Sequence, residues 1–332
     1  CQFNNTPVSA TYLDSMGRSN FSRHEVTVLC VAILLAIIAT VARPVEEIEL
    51  TIDAASGADW SATGLSARLD LLAQGQRGKL EIDTLRVADL AQPIRDVRIE
   101  CATVEVSTMR IGCNDASVVA QVPGLGAQRF HADLVYGRAD ASIQFAVRGI
   151  RIGPGRLALS GWLRDEGWNV TAHSEQLPLE ELMTLARMFE VVLPVSGSAG
   201  AISADVQARG AGAQIPALAI KAQLHELTAN NDSGSIASDR LTMVVDAKLR
   251  KEREQWRYEI DVTARAGQAY VEPFFVDFGV HALAADAAGL FGETGGVIVD
   301  TFHIEHADVL AASGRAVIDV EHTQPLRELE LK

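Results

Sequence analysis

From Glu46 onward the dominant hydrophobic period of the chain is two. Ile48, Leu50 and Ile52 alternate with Glu47, Glu49, Thr51 and Asp53, and the pairs Leu80/Ile82 and Leu85/Val87 repeat the step. Val97–Val106 and Met109–Cys113 read as successive strands, and Ile143, Phe145 and Val147 alternate with Ser142, Gln144 and Arg148. The longest unbroken case sets Trp256, Tyr258, Ile260, Val262 and Ala264 against Arg257, Glu259, Asp261, Thr263 and Arg265. Strict alternation marks strands with one apolar and one wet face. Its recurrence without a βαβ rhythm predicts an antiparallel all-β chain. Arg164-Asp-Glu-Gly167, Gly210-Ala-Gly212 and Asn230-Asn-Asp-Ser-Gly234 supply turns between the runs.

Two segments break this period. Pro178–Glu190 reads as one short helix: proline fits the first turn, Glu180 and Glu181 suit the dipole there, and Leu179, Leu182, Met183, Ala186 and Phe189 share a face. Its expected role is to plug the end or the open side of a sheet. The other segment is Val26–Ala42, which carries no charge and includes Val26, Leu34, Leu35 and Ile38. As a helix it would span roughly 25 Å, at the lower limit for crossing a bilayer. Arg18, Arg23 and His24 precede it, and after Arg43 the next cation is Arg68, whereas Glu46, Glu47, Glu49, Asp53 and Asp59 follow. The positive-inside bias therefore puts residues 1–25 in the cytoplasm and exports the rest. Thr40-Val41-Ala42 followed by Arg43-Pro44 is a poor cleavage site, so a retained anchor is favoured over a signal peptide.

The chain opens on Cys1, and Met16 stands just before the basic leader, so residues 1–15 read as an over-extended frame. Arg327-Glu-Leu-Glu-Leu-Lys332 closes in a strand-like pattern, as the beginning of a longer chain would. The expected division is therefore a cytoplasmic tail over 1–25, an anchor over 26–42, and two β segments over 43–195 and 196–332. The soft boundary between the segments follows the helix, near Val195–Gly200.

Composition narrows the function. Apolar residues make up 48% but aromatics only 5%, so Ala, Val, Leu and Ile carry the burial. A net charge of −14 removes nucleic acid as a partner, and argues against electrostatic docking on anionic headgroups. Catalytic signatures are missing: there is no nucleophile elbow, P-loop, dinucleotide fingerprint or zincin helix. His303 and His306 are the nearest thing to a metal pair, but an offset of three on a strand sends them to opposite faces. No metal, no cofactor and no enzymatic activity are expected. Cys101 and Cys113, on neighbouring strand-like runs, admit either a cross-hairpin disulfide in an oxidising compartment or two buried thiols. Alternation does not decide whether the apolar face is an ordinary closed core or the lining of an open trough; base rates favour the closed core.

Several phrases resemble a known family. Leu159-Ser-Gly161-Trp162, Gly167-Trp168-Asn169-Val170 and Leu177-Pro-Leu179-Glu-Glu-Leu182, behind an N-terminal anchor, resemble the AsmA-like proteins of Gram-negative envelopes. Gly267-Gln-Ala-Tyr270-Val-Glu-Pro273 and the pair Cys101 and Cys113 look closest to the YdbH-type branch. The likeness is one of sequence style from Val26 to the end, and members of that branch are much longer. It implies an inner-membrane anchor followed by an elongated, curved antiparallel sheet forming a taco-like groove in the periplasm. It further implies passage of phospholipid between inner and outer membranes, with an outer-membrane lipoprotein or other envelope partner. Under that reading Ile99, Ile143, Phe145, Val147, Met243, Val245, Tyr258, Ile260 and Val262 are groove-lining candidates for acyl chains. The alternative is an anchored scaffold for outer-membrane biogenesis that holds no lipid; an exported hydrolase of unrecognised type is the third reading.

Overall fold

The computed structural model describes residues 46–331 apart from 58, 73–74, 89, 189–195, 213, 232, 273, 293–295 and 320–325. The proposed anchor, with Val26, Leu34, Leu35 and Ile38, lies outside the described residues, as do the N-terminal tail and Phe189–Val195. Among the described residues no helix is long and apolar enough to cross a membrane.

Glu46–Lys332 forms one unit. Its first nine strands are β1 (Glu47–Ser56), β2 (Trp60–Leu72), β3 (Gly75–Val87), β4 (Ile94–Val106), β5 (Arg110–Val122), β6 (Gly126–Gly137), β7 (Ser142–Ile152), β8 (Gly155–Arg164) and β9 (Gly167–Pro178). A helix, α1 (Leu179–Met188), precedes β10 (Ser196–Ala211), β11 (Gln214–Asn230), β12 (Ile236–Glu252) and β13 (Gln255–Val271). The rest are β14 (Phe274–Asp277), β15 (Leu283–Gly292), β16 (Gly296–His306), β17 (Leu310–Asp319) and β18 (Leu326–Leu331).

Each strand pairs antiparallel with its successor, from β1 with β2 through to β17 with β18. The one variation is at β13, where Gln268–Val271 pair with the short β14 and Gln255–Ala264 pair with β15. The result is a single meandering sheet that is not closed. Sequential pairing follows from the short turns, which leave an exiting strand little choice but its own predecessor. The helix starts one residue later than the sequence suggests, because Pro178 is still paired with Ala201 at the end of β9. It packs on β9 and β10. Those strands are themselves paired from Trp168/Gly210 to Pro178/Ala201, so the sheet runs unbroken past the soft boundary near Val195–Gly200.

Burial separates this sheet from a sandwich. Among the described residues Ile152 is the one large side chain that is fully buried, at 1% exposure. Closed sandwiches of this size bury dozens of such side chains between two layers about 10 Å apart. Among the described residues the buried cluster is small: Leu241, Ala264 and Phe278, with Leu227, Met243, Ala269, Val276 and Leu283 packed against it. The ordinary closed core that base rates favour is not what forms. Cohesion comes from ladder hydrogen bonds and from cross-strand neighbours on each face, at about 0.2–1 kcal/mol per good pair.

Bulges recur along the strands. Asp96, Asp115 and Glu226 adopt positive φ (52°, 56° and 51°), and the pairing shifts between Arg95 and Arg98, Cys113 and Ala116, and Leu224 and Leu227. At each of them the apolar side chains step by three instead of two: Ile94 to Val97, Cys113 to Ala116, Leu224 to Leu227. The extra residue absorbs the parity change, so the same face stays apolar on both sides of the bulge.

Candidate functional site

Directly opposed residues in an antiparallel ladder share a face, so the registers can be followed from edge to edge. Starting from Leu50, one face runs through Ala67, Leu80, Ile99 and Val118. A parallel rung runs from Val104 through Cys113, Leu134, Phe145, Gly161, Val170, Ala208 and Leu218. It continues through Leu249, Tyr258 and Gly289. Further along lie Ile304, Phe302 and Val299 of β16, opposite Ala312, Gly314 and Ala316 of β17. The opposite face carries the charges, with Arg148–Asp133 at 2.8 Å, Lys79–Glu81 at 2.9 Å and Lys221–Asp246 at 3.4 Å.

All nine groove-lining candidates fall on the apolar face. Ile143, Phe145 and Val147 sit on β7 against Tyr136, Leu134 and Ala132. Ile99 on β4 lies between Leu80 and Val118. Val245 faces Val262 directly, Met243 faces Ala264, Leu249 faces Tyr258, and Ile260 lies between Ala247 and Ala287. Apart from Tyr258, which is buried, these nine side chains are half-buried. They are shielded by their neighbours in the sheet, and Leu134 among them remains 52% exposed.

Large rings on this face lie over glycines. Phe145, Trp168, Tyr258 and Phe302 stand directly opposite Gly161, Gly210, Gly289 and Gly314. Each glycine leaves the space that its partner's ring occupies, so the ring lies down on the sheet instead of standing off it. Trp256 stacks on the directly opposed Phe291, with centroids 6.2 Å apart and planes at 7°. Burial, with a lesser push from Asp300, holds the Tyr258 phenol above its usual range; its hydroxyl donates to the Ile298 carbonyl at 3.4 Å. None of these rungs is visible in sequence, because the partners lie on different strands.

Cys101 and Cys113 are joined by a disulfide across β4 and β5, with Cα atoms 5.8 Å apart. Cys113 pairs with Val104 on the apolar face, and the buried Cys101 faces Gly78 there, so the bridge is part of that surface. The geometry thus selects the cross-hairpin disulfide over two thiols.

The polar groups do not converge. His303 faces Asp286 on the charged side, while His306 faces Leu283 on the apolar side, as an offset of three requires. The His306 ring lies edge-on to Phe278 and His281, and its Nε2 is 3.1 Å from the His281 carbonyl. Among the described residues no three His, Cys, Asp or Glu side chains cluster to hold a metal ion. Trp162 and Trp168, either side of the Arg164–Gly167 turn, divide between faces. Trp162 carries the Arg164 guanidinium at 5.1 Å on the charged side, whereas Trp168 is on the apolar side and donates Nε1–H to the Gly212 carbonyl at 2.9 Å.

Compared with family profiles, curated proteins and solved structures, the chain matches none of them. The geometry of the apolar face therefore carries the functional reading.

Proposed function

We propose that this protein is an inner-membrane-anchored, periplasmic β-sheet protein that binds phospholipid acyl chains on its apolar face and conducts them between the inner and outer membranes of a Gram-negative envelope. The observation that carries this reading is the continuous apolar face: the rungs keep one parity from strand to strand through repeated bulges, and among the described residues no second sheet covers it, with α1 packed on β9 and β10. The bulges bend and twist the strands that carry them, which favours a curved, groove-like sheet over a flat one. Acyl chains would replace water along aliphatic and lying aromatic side chains, while headgroups stay in solvent. At about 0.8 kcal/mol per buried methylene, covering a few methylenes of each chain holds a lipid while leaving it free to slide. Passage of this kind needs burial alone and breaks no bond.

Two further observations support the reading. The Cys101–Cys113 disulfide suits an oxidising compartment such as the periplasm. The charge-free run Val26–Ala42, with cations before it and carboxylates after it, suits an anchor that leaves the sheet on that side.

The test is lipid content. Protein extracted in mild detergent should carry phospholipid that organic extraction and thin-layer chromatography reveal. An Ile260→Asp/Val262→Asp variant, charged in the middle of the face, should lose most of it while keeping the β-sheet circular dichroism of the parent. Absence of lipid from the parent protein would leave the scaffold reading, in which β1 and β18, the edge strands among the described residues, are the working surfaces.

A further inference from the structure

The charged face carries a recess of about 220 Å³ at β10–β13, between Arg209, Lys248, Arg250 and Arg257 and over Ala217 and Ala219. The register builds it. Arg209, Ala217, Arg250 and Arg257 form one rung across the four strands, and Gln207, Ala219, Lys248 and Glu259 form the next. Strands lie about 4.8 Å apart, so Arg209 and Arg250 rise on either side of Ala217 from backbones roughly 10 Å apart. The two alanine methyls make a low floor, and the long basic side chains make walls.

The charge balance of the recess is opposite to that of the chain. Four cations and one carboxylate, Glu259, line it, on a protein of net charge −14. Arg257 is shared between Glu252 at 3.3 Å and Asp300 at 3.8 Å, and Lys248 reaches Glu259 at 3.9 Å. Among the described residues Arg209 and Arg250 have no carboxylate within 4.0 Å, and Arg250 directly faces Arg257. Like charges directly opposed across a ladder are destabilising, and an anion between them removes that cost. Guanidinium groups suit a phosphate oxyanion in particular, because their planar forks donate pairs of charge-assisted hydrogen bonds.

We propose that this recess is a binding site for a phosphate-class oxyanion, supplied either as free phosphate or as the phosphodiester of a lipid headgroup. Arg209 and Arg250 are the principal donors, with Lys248 and Arg257 adding charge. The site is on the face opposite the acyl-binding residues, so it does not rest on the lipid-conduction reading.

The test is calorimetric titration of the full chain with inorganic phosphate at constant ionic strength, with sodium chloride as the reference titrant. Arg209→Gln/Arg250→Gln should weaken phosphate binding about tenfold or more, the loss of two charge-assisted contacts. Arg148→Gln, on the same face but paired with Asp133, should not. A short-chain phosphatidylglycerol below its micellar concentration separates the sources. If it competes with phosphate in the parent and in Ile260→Asp/Val262→Asp alike, the headgroup is an accepted ligand; if only inorganic phosphate binds, the free ion is. Equal heats for the parent and Arg209→Gln/Arg250→Gln, or no heat beyond chloride in either, would overturn the proposal whether or not lipid is found on the apolar face.

Discussion

Phe145 of β7 lies directly opposite Gly161 of β8, and its ring occupies the space a side chain at Gly161 would need. A β-carbon there would stand 3.0 Å from Cζ of Phe145 and would also press on the Asn169 carbonyl oxygen of β9. The ring can shift, but the carbonyl belongs to the ladder. Gly161→Ala is therefore expected to destabilise the sheet by about 1–3 kcal/mol, the usual range for overpacking. Urea unfolding followed by circular dichroism measures it. An alanine variant as stable as the parent would mean that the ring does not depend on the glycine.

The bulges make a prediction of opposite sign. Glu226 has a positive φ of 51°, a conformation costly for an L side chain and free for glycine. Glu226→Gly should hold or raise stability, by up to about 1 kcal/mol after the entropy of the freer unfolded chain is counted. Glu226→Val, β-branched and unsuited to that conformation, should lower it by at least as much. Comparing the two urea midpoints checks the direction.

Reduction should weaken the β4–β5 region. The Cys101–Cys113 bridge closes a loop with a sequence separation of 12, which in the chain-entropy treatment contributes about 3 kcal/mol. Cys101→Ser/Cys113→Ser, or the parent in dithiothreitol, should unfold at correspondingly lower urea. Non-reducing peptide mapping should show the peptides containing Cys101 and Cys113 joined.

On the charged face, His173 lies between Asp205 (Nδ1 to Oδ1, 2.6 Å) and Glu175 (Nε2 to Oε1, 3.5 Å). Hydrogen bonding to Asp205, then to Glu175, holds the imidazole above its ordinary value of about 6.5. A raised folded-state value means the protonated form is favoured by folding. The stabilisation is then fully present below about pH 6.5 and is lost as pH rises through the raised value. The difference in urea midpoint between the parent and His173→Gln should accordingly be larger at pH 5.5 than at pH 8.5. The side chains are more than half exposed, so added salt should shrink the difference.

Much of this architecture is legible in the period of the sequence. The alternation around Ile143–Val147 and Trp256–Ala264 places the right side chains on one face because a strand admits only two sides. The turns at Arg164–Gly167 and Asn230–Gly234 end the strands where their residues suggest. The bulges are harder to read. A step of three, as from Leu224 to Leu227, looks like the end of a strand until the partner's register shows that pairing resumes beyond it. The absence of a covering layer was beyond the sequence too, since a buried face and a bare one share the same alternation. The aromatic–glycine rungs and the Arg209–Arg250–Arg257 rung depend on which strands become neighbours, and no spacing along the chain encodes that.

The two sides of one strand offer the most direct test of the central claim. Ile260 and Asp261 are consecutive on β13 and point to opposite faces. A photo-crosslinking amino acid placed at each in turn, in cells labelled with radioactive phosphate, compares the two faces in the same protein at the same depth in the sheet. Lipid-sized radioactive adducts at position 260, and at 143, 145 and 262, well above those at 261, are the predicted result. Equal labelling at 260 and 261, or none at any of the five positions, would contradict acyl-chain binding on the apolar face.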